Sequence, residues 1–240
     1  IEQITELIKN KRVIGPQKDI VEVKNAIEVY SKLSKFNTYK LQSLCEAHKI
    51  LMNGLLENSG KLRTKSVGIV KGNEVAHIAP PGEMVIHLMN DLFEDLKNDD
   101  DILLVKSCVF HYEFEFIHPF LDGNGRMGRL WQTMILKEYS PVFEHLPIET
   151  LIKERQQEYY NVLGKSDNLG TSTFFIEFML DIINDSLEEL LGVQNHNLSG
   201  EDRIQLFMEI VKKEFFNRQD YLRHNKGISP STASRDLRTA

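Results

Sequence analysis

Apolar residues recur at helical spacing along most of the chain. Ile20, Val23, Ile27 and Tyr30 mark one face, Leu41, Leu44, Cys45, His48, Leu51, Met52 and Leu55 a second, and Val85, Leu88, Met89, Leu92, Phe93 and Leu96 a third. Steps of three and four residues align each set on one side of a 3.6-residue turn, so each predicts a helix with a core-facing stripe. His48 and His87 fall on or beside such stripes and read as packed structural histidines rather than ligands. Leu103 to Phe116 is apolar nearly all round, which predicts a central buried helix that delivers His118 at its end. Ile152 to Leu163 and Phe174 to Leu191 continue the bundle.

One stretch breaks this rhythm. Val67 to Val70 and Val75 to Ile78, separated by Lys71-Gly72-Asn73-Glu74 and followed by Pro80-Pro81, read as a short β-hairpin. Beyond Leu198-Ser199-Gly200, which reads as a linker, Arg203 to Phe216 and Arg218 to Asn225 predict two helices. A turn at Lys226-Gly227-Ile228 leads to Ser229-Pro230, an N-cap followed by proline at the first helical position, and to a third helix. That succession has the shape of a helix-turn-helix. The expected fold class is therefore mainly all-α: a helical bundle over 1–197 with a hairpin over about 63–81, and a small, apparently incomplete helix-turn-helix or winged-helix-like unit over 201–240.

Composition narrows the classes. At 240 residues, 41% hydrophobic and 27% charged, the chain can bury one substantial core and a small appendage. A net charge of −6 argues against non-specific nucleic-acid binding by bulk charge. From Asn217 to Ala240 five Lys or Arg face two Asp, a local excess of +3, but no residues follow to form a wing, which weighs against DNA as a partner. Cys45 and Cys108 lie in apolar helical patterns without metal-ligand spacing and read as core thiols. No run of about 18 apolar residues and no signal-peptide pattern occurs, so the expectation is no membrane association and a cytoplasmic location. The chain starts at Ile1 without an initiator Met and reads as a fragment.

The chemistry concentrates in His118-Pro119-Phe120-Leu121-Asp122-Gly123-Asn124-Gly125-Arg126-Met127-Gly128-Arg129. Gly123 and Gly125 let the backbone turn its N–H groups inward as an anion nest. With a helix over the apolar residues that follow, those amides stand at its N-terminus, where the dipole favours negative charge. Arg126 and Arg129, three apart, suit phosphate oxygens. Asp122 is a hard oxygen ligand of the kind that holds Mg²⁺ on substrate phosphates, and His118 titrates near neutral pH and can take a proton. An exposed turn is the plain alternative. A calcium loop fails, because Arg126 and Thr133 stand where ligands belong. A dinucleotide fingerprint has the right glycine spacing through Gly128 but lacks the preceding short strand.

The run matches H-P-F-x-(D/E)-G-N-G-R-x-x-R and thereby resembles the Fic (filamentation induced by cyclic AMP) family. The resemblance implies a protein adenylyltransferase, moving AMP from ATP with Mg²⁺ to a Ser, Thr or Tyr hydroxyl of a target protein. It assigns His118 as the base, Asp122 as the metal ligand, and Asp122, Gly123, Asn124, Gly125, Arg126, Met127, Gly128 and Arg129 to ATP and its phosphates. It makes the hairpin a flap that holds the target by strand addition, with Val75, His77 and Ile78 near nucleotide and target, and sets Tyr159 and Tyr160 by the nucleotide base. It leaves open self-modification, a homodimer, another donor or direction (UMP, phosphocholine or phosphate transfer, or AMP removal), and a DNA-binding regulator whose domain senses nucleotide. An inhibitory helix ending in a glutamate that pairs with Arg129 is expected upstream of Ile1, since Glu2-Gln3 matches its end only weakly.

Overall fold

A computed structural model describes residues 15–71, 74–211 and 215–239. The chain divides into two compact units: one runs from the start of the described residues to His145 and takes in Arg155–Leu180, and the other comprises Leu146–Glu154 and the chain from Asp181 onward. No helix among the described residues is long and apolar enough to cross a membrane.

In the first unit, α1 (Gln17–Tyr30), α2 (Leu41–Leu51), α3 (Val85–Asn98), α4 (Leu103–Ile117) and α5 (Asn124–Tyr139) surround a single core. As its even hydrophobicity predicts, α4 buries most of its circumference, including Cys108, Phe110, His111, Tyr112, Phe114 and Ile117, and leaves the face of Val109, Glu113 and Phe116 part-open. Phe93 meets Phe110 and Trp131 edge to face at 5.3 and 6.1 Å, contacts worth about 0.5–1.5 kcal/mol each beyond the area buried. The Trp131 indole N–H donates to Thr38 O at 3.0 Å, so its one polar atom is satisfied. A Cβ on Gly128 would stand 2.9 Å from Glu115 Oε1 and 3.0 Å from His111 Cδ2, so the glycine is what lets α5 lie so close to α4.

The hairpin is present as β1 (Gly68–Lys71) and β2 (Glu74–Ile78), antiparallel, with a register shift between Ile69 and Val70. The expected turn residues Gly72 and Asn73 lie outside the described residues. A Cβ on Gly82 would fall 2.1 Å from the Thr64 carbonyl carbon, so the chain entering the hairpin and the chain leaving it cross in direct contact.

Several expectations need correction: the helix read over Arg203 to Phe216 runs Gly200–Val211 and leaves Phe215 and Phe216 outside it, and α1 buries Asn25 and Val29 while Ile20, Val23, Ile27 and Tyr30 are only part-buried. His87 is exposed, not packed: it lies on the solvent side of α3, off the stripe formed by Val85, Met89 and Leu92. The helix expected over Ile152 to Leu163 is two helices, α6 (Ile148–Glu154) and α7 (Gln156–Leu169), because Arg155 leaves the helical region at φ −101°, ψ 28°. Leu55 falls beyond α2, which stops at Leu51 ahead of Gly54 at φ +71°.

After α8 (Thr173–Asn197), the second unit contains α9 (Gly200–Val211), α10 (Arg218–His224) and α11 (Pro230–Thr239) around Phe207, Tyr221, Ile228 and Ala233. Asn217 opens α10 with a capping box, its side chain accepting from the amides of Gln219 and Asp220. Buried Arg203 donates through Nε to Asp236 Oδ2 at 2.8 Å, which also accepts from the Tyr221 hydroxyl at 3.2 Å.

Candidate active site

The site begins where α4 ends. His118 is its C-cap and takes the left-handed conformation at φ 49°, ψ 61°, alone among the described non-glycine residues in having positive φ. That conformation costs an ordinary L-residue about 1–2 kcal/mol, and it turns the chain sharply back toward α5. Arg63, buried beneath the turn, holds it there. Its side chain donates to the carbonyls of Ile117 and His118 at 2.9 and 2.7 Å, and its amide to Pro119 O at 2.9 Å. These are orphan acceptors at a helix C-terminus, where a cation also complements the dipole.

The loop that follows is locked from within. Phe120 is fully buried and stacks on His48 with ring centroids 3.6 Å apart. Asn124 closes a ring of two hydrogen bonds on the Phe120 backbone, accepting from its amide at 2.9 Å and donating to its carbonyl at 2.8 Å. His48 is tied at both nitrogens. The Gly60 amide donates to Nδ1 at 2.8 Å, so Nε2 carries the hydrogen and donates to Asp122 O at 2.9 Å. Burial pulls the His48 pKa below its usual value, in keeping with a neutral ring.

Asp122 points its exposed carboxylate outward, with Oδ1 accepting from the Gly123 amide at 2.6 Å. Gly123, at φ 83°, is the N-cap of α5; a Cβ there would meet Met52 Sδ at 2.7 Å. The Met127 amide already donates to Gly123 O at 3.0 Å, so the amides that open α5 without an earlier carbonyl to reach are those of Asn124, Gly125 and Arg126. Arg126 lies 3.7 Å from Glu22 Oε2 and 4.0 Å from Asp122 Oδ1. Arg129 Nη1 lies 3.3 Å from where a Gly125 Cβ would be, which sets its guanidinium over the same first turn. The run therefore brings a histidine, a carboxylate, three amides and two guanidinium groups to one helix end.

Four expected residues are placed otherwise. Met127 is wholly buried core with its amide committed to the helix, and Gly128 serves packing against His111. The Gly123 amide is taken by Asp122 Oδ1 at 2.6 Å, whereas the Asn124 amide keeps its expected place at the start of α5, its side chain being held by Phe120. Tyr159 is buried among Phe175, Phe178 and His111, its hydroxyl 3.1 Å from His111 Nε2, so it presents no face to a nucleotide base; its neighbour Tyr160 is half-exposed. Of the flap residues, Val75 pairs with Val70, His77 with Ile69 and Ile78 with Gly68, and Ile78 is exposed. Among the described residues β2 pairs only with β1, and α7 lies alongside it.

Sequence reasoning missed Arg63 and His111. His111 Nδ1 is 2.7 Å from Gln132 Oε1, and burial drives its pKa down to about 3, so it is a neutral core bridge between α4, α5 and α7. A histidine inside a helix apolar nearly all round was the available signal. Arg63, one charge among many before a hairpin, gave none.

A family model, Fic/DOC family, matches residues 38–136. Protein adenylyltransferase fic-1 of Caenorhabditis briggsae is 28% identical over 206 residues, covering 78% of this chain and 38% of its own length. A probable protein adenylyltransferase of Aquifex aeolicus is 37% identical over 120 residues, 48% of this chain and 37% of its own length. The chain thus spans well under half the length of these relatives. Fic-1 of Caenorhabditis elegans shares the fold at TM-score 0.68 and 20% identity, over 82% of this chain and 59% of its own. The crystal structure of a Fic family protein from Desulfovibrio desulfuricans G20 superposes at TM-score 0.77 and 39% identity, covering 98% of this chain and 71% of that one. With that likeness along nearly its whole length, and with a helix end that gathers the family's signature residues, this chain belongs to the Fic family.

Proposed function

We propose that the chain transfers AMP from ATP to a Ser, Thr or Tyr hydroxyl of a protein. The observation that carries this reading is the left-handed His118 set directly before the amide-rich start of α5, with Asp122 between them. The relatives named as protein adenylyltransferases support it. His118 takes the proton of the attacking hydroxyl as its oxygen bonds to the α-phosphorus. The bond from that phosphorus to the bridging oxygen breaks, and pyrophosphate leaves with the electron pair. The amides of Asn124, Gly125 and Arg126 and the two guanidinium groups receive the phosphate charge, a stabilisation by fixed donors that needs no rearrangement.

Mg²⁺ fits this site as a substrate-borne ion. The outward carboxylate of Asp122 suits an ion that keeps its waters and phosphate ligands. Such an ion supplies charge neutralisation on the phosphates. The edge of β2 that β1 does not pair, with Val75, His77 and Ile78, would receive an extended target segment as an added strand, and Tyr160 would lie by the base. The two free thiols, Cys45 and Cys108, are compatible with a reducing cytoplasm.

The test is transfer of label from α-labelled ATP to protein. His118→Ala should lower it by about 10²–10⁴-fold with ATP binding retained. Label moving from γ-labelled ATP instead would replace this reading with phosphate transfer, and equal labelling by His118→Ala would remove the base.

A further inference from the structure

The two reactants of the proposed transfer are held by different parts of the chain. His118 stands at the end of α4, and the strand edge offered to a target lies on the hairpin. A productive encounter needs reacting atoms within about 3–3.5 Å, and a 1 Å error can cost about 10²-fold in rate. Something must keep these two parts in a fixed relation, and one side chain touches both.

The Arg63 side chain donates to four main-chain carbonyls. Two, Ile117 and His118, close α4 at 2.9 and 2.7 Å. The other two, Lys65 at 2.7 Å and Pro80 at 2.8 Å, belong to the chain entering and leaving the hairpin. Those same two segments cross at Thr64 and Gly82, in contact too close for any Cβ on residue 82. With Arg63 only 3% exposed, its charge is tolerable only because these donors are filled. A guanidinium is rigid and planar, so carbonyls bound at its separate nitrogens cannot shift independently.

We infer that Arg63 is a positioning residue for the transfer reaction, fixing the His118 turn and the base of the hairpin in one frame. This rests on the function proposed above. A lysine at 63 keeps the charge but has one nitrogen and three donors, so it cannot span acceptors on both sides.

The test compares the wild type with Arg63→Lys, and with Arg63→Gln where that variant folds, at a temperature where thermal unfolding shows each to be native. In Arg63→Lys, kcat should fall by about 10²-fold while KM for ATP changes by less than about threefold. Amide exchange should quicken together in 66–68, 78–81 and 118–122. Unchanged kcat with unchanged exchange overturns the inference. So does an activity loss that only tracks the unfolded fraction, since a purely structural role predicts that. Quickened exchange on one side alone also overturns it, because the shared anchor would then not exist. If the wild type transfers no AMP, the functional reading fails and exchange alone decides whether Arg63 joins the two segments.

Discussion

Gly123 shows how one residue can serve chemistry and folding at once. Its φ of 83° lies in the region L-residues avoid, and a Cβ would press on Met52 Sδ at 2.7 Å. Gly123→Ala should therefore cost about 1–2 kcal/mol from backbone strain alone, with further loss if Met52 cannot move. In a chain of this size that is a fall of about 2–8 °C in Tm, and nucleotide affinity should drop with it because the α5 amides are displaced. A variant with wild-type Tm would mean that the loop can turn without this conformation. His48 makes the complementary case: its stripe position marked it as structural, and it proves to be what fixes the Asp122 carbonyl.

At the scale of elements, periodicity made the helices legible but not their ends. The stripes of α2 and α3 lie as read, because spacing of apolar residues is what burial selects, whereas α1 buries Asn25 and Val29 and leaves Ile20, Val23, Ile27 and Tyr30 only part-buried. Breaks at Leu51 and Arg155 depend on single backbone conformations that no hydrophobic pattern encodes. The signature run was legible because its residues are adjacent in sequence. Arg63 was not, since its partners lie 54 and 55 residues away at Ile117 and His118. The Arg203 and Asp236 pair, 33 residues apart, was hidden for the same reason. Both of its side chains are nearly inaccessible, at 6% and 3% exposure, so breaking it should be costly. Arg203→Met should destabilise the α9–α11 unit by about 3–5 kcal/mol, read as faster amide exchange over 200–239. Adding Asp236→Leu should recover much of that loss; if the double variant is no better than the single, the pair is not coupled in this way.

For the whole molecule, two buried neutral histidines set the response to acid. Burial lowers the pKa of His111 to about 3, outweighing the hydrogen bond with Gln132, while Arg129 also lowers it; Glu115, 3.9 Å away, does not rescue the charged form. His48 is shifted in the same direction. Below the unfolded value of about 6.5 the unfolded chain binds protons that the native chain refuses, so stability falls as pH falls. Each histidine contributes a slope of up to about 1.4 kcal/mol per pH unit until its folded pKa is reached. Urea midpoints measured from pH 7 to pH 5 should decline, and His111→Gln should flatten that decline by one proton; an unaltered slope would show that His111 is already protonated in the fold. The clamp between Asn124 and Phe120 has a different kind of consequence, one for descent rather than for chemistry. A descendant that had lost every trace of transfer would still need Phe120, Asn124 and Gly123 to close its core, so those three letters testify to ancestry and architecture. The side chains of His118, Asp122, Arg126 and Arg129, which that clamp does not use, are the ones that bear on the proposed transfer.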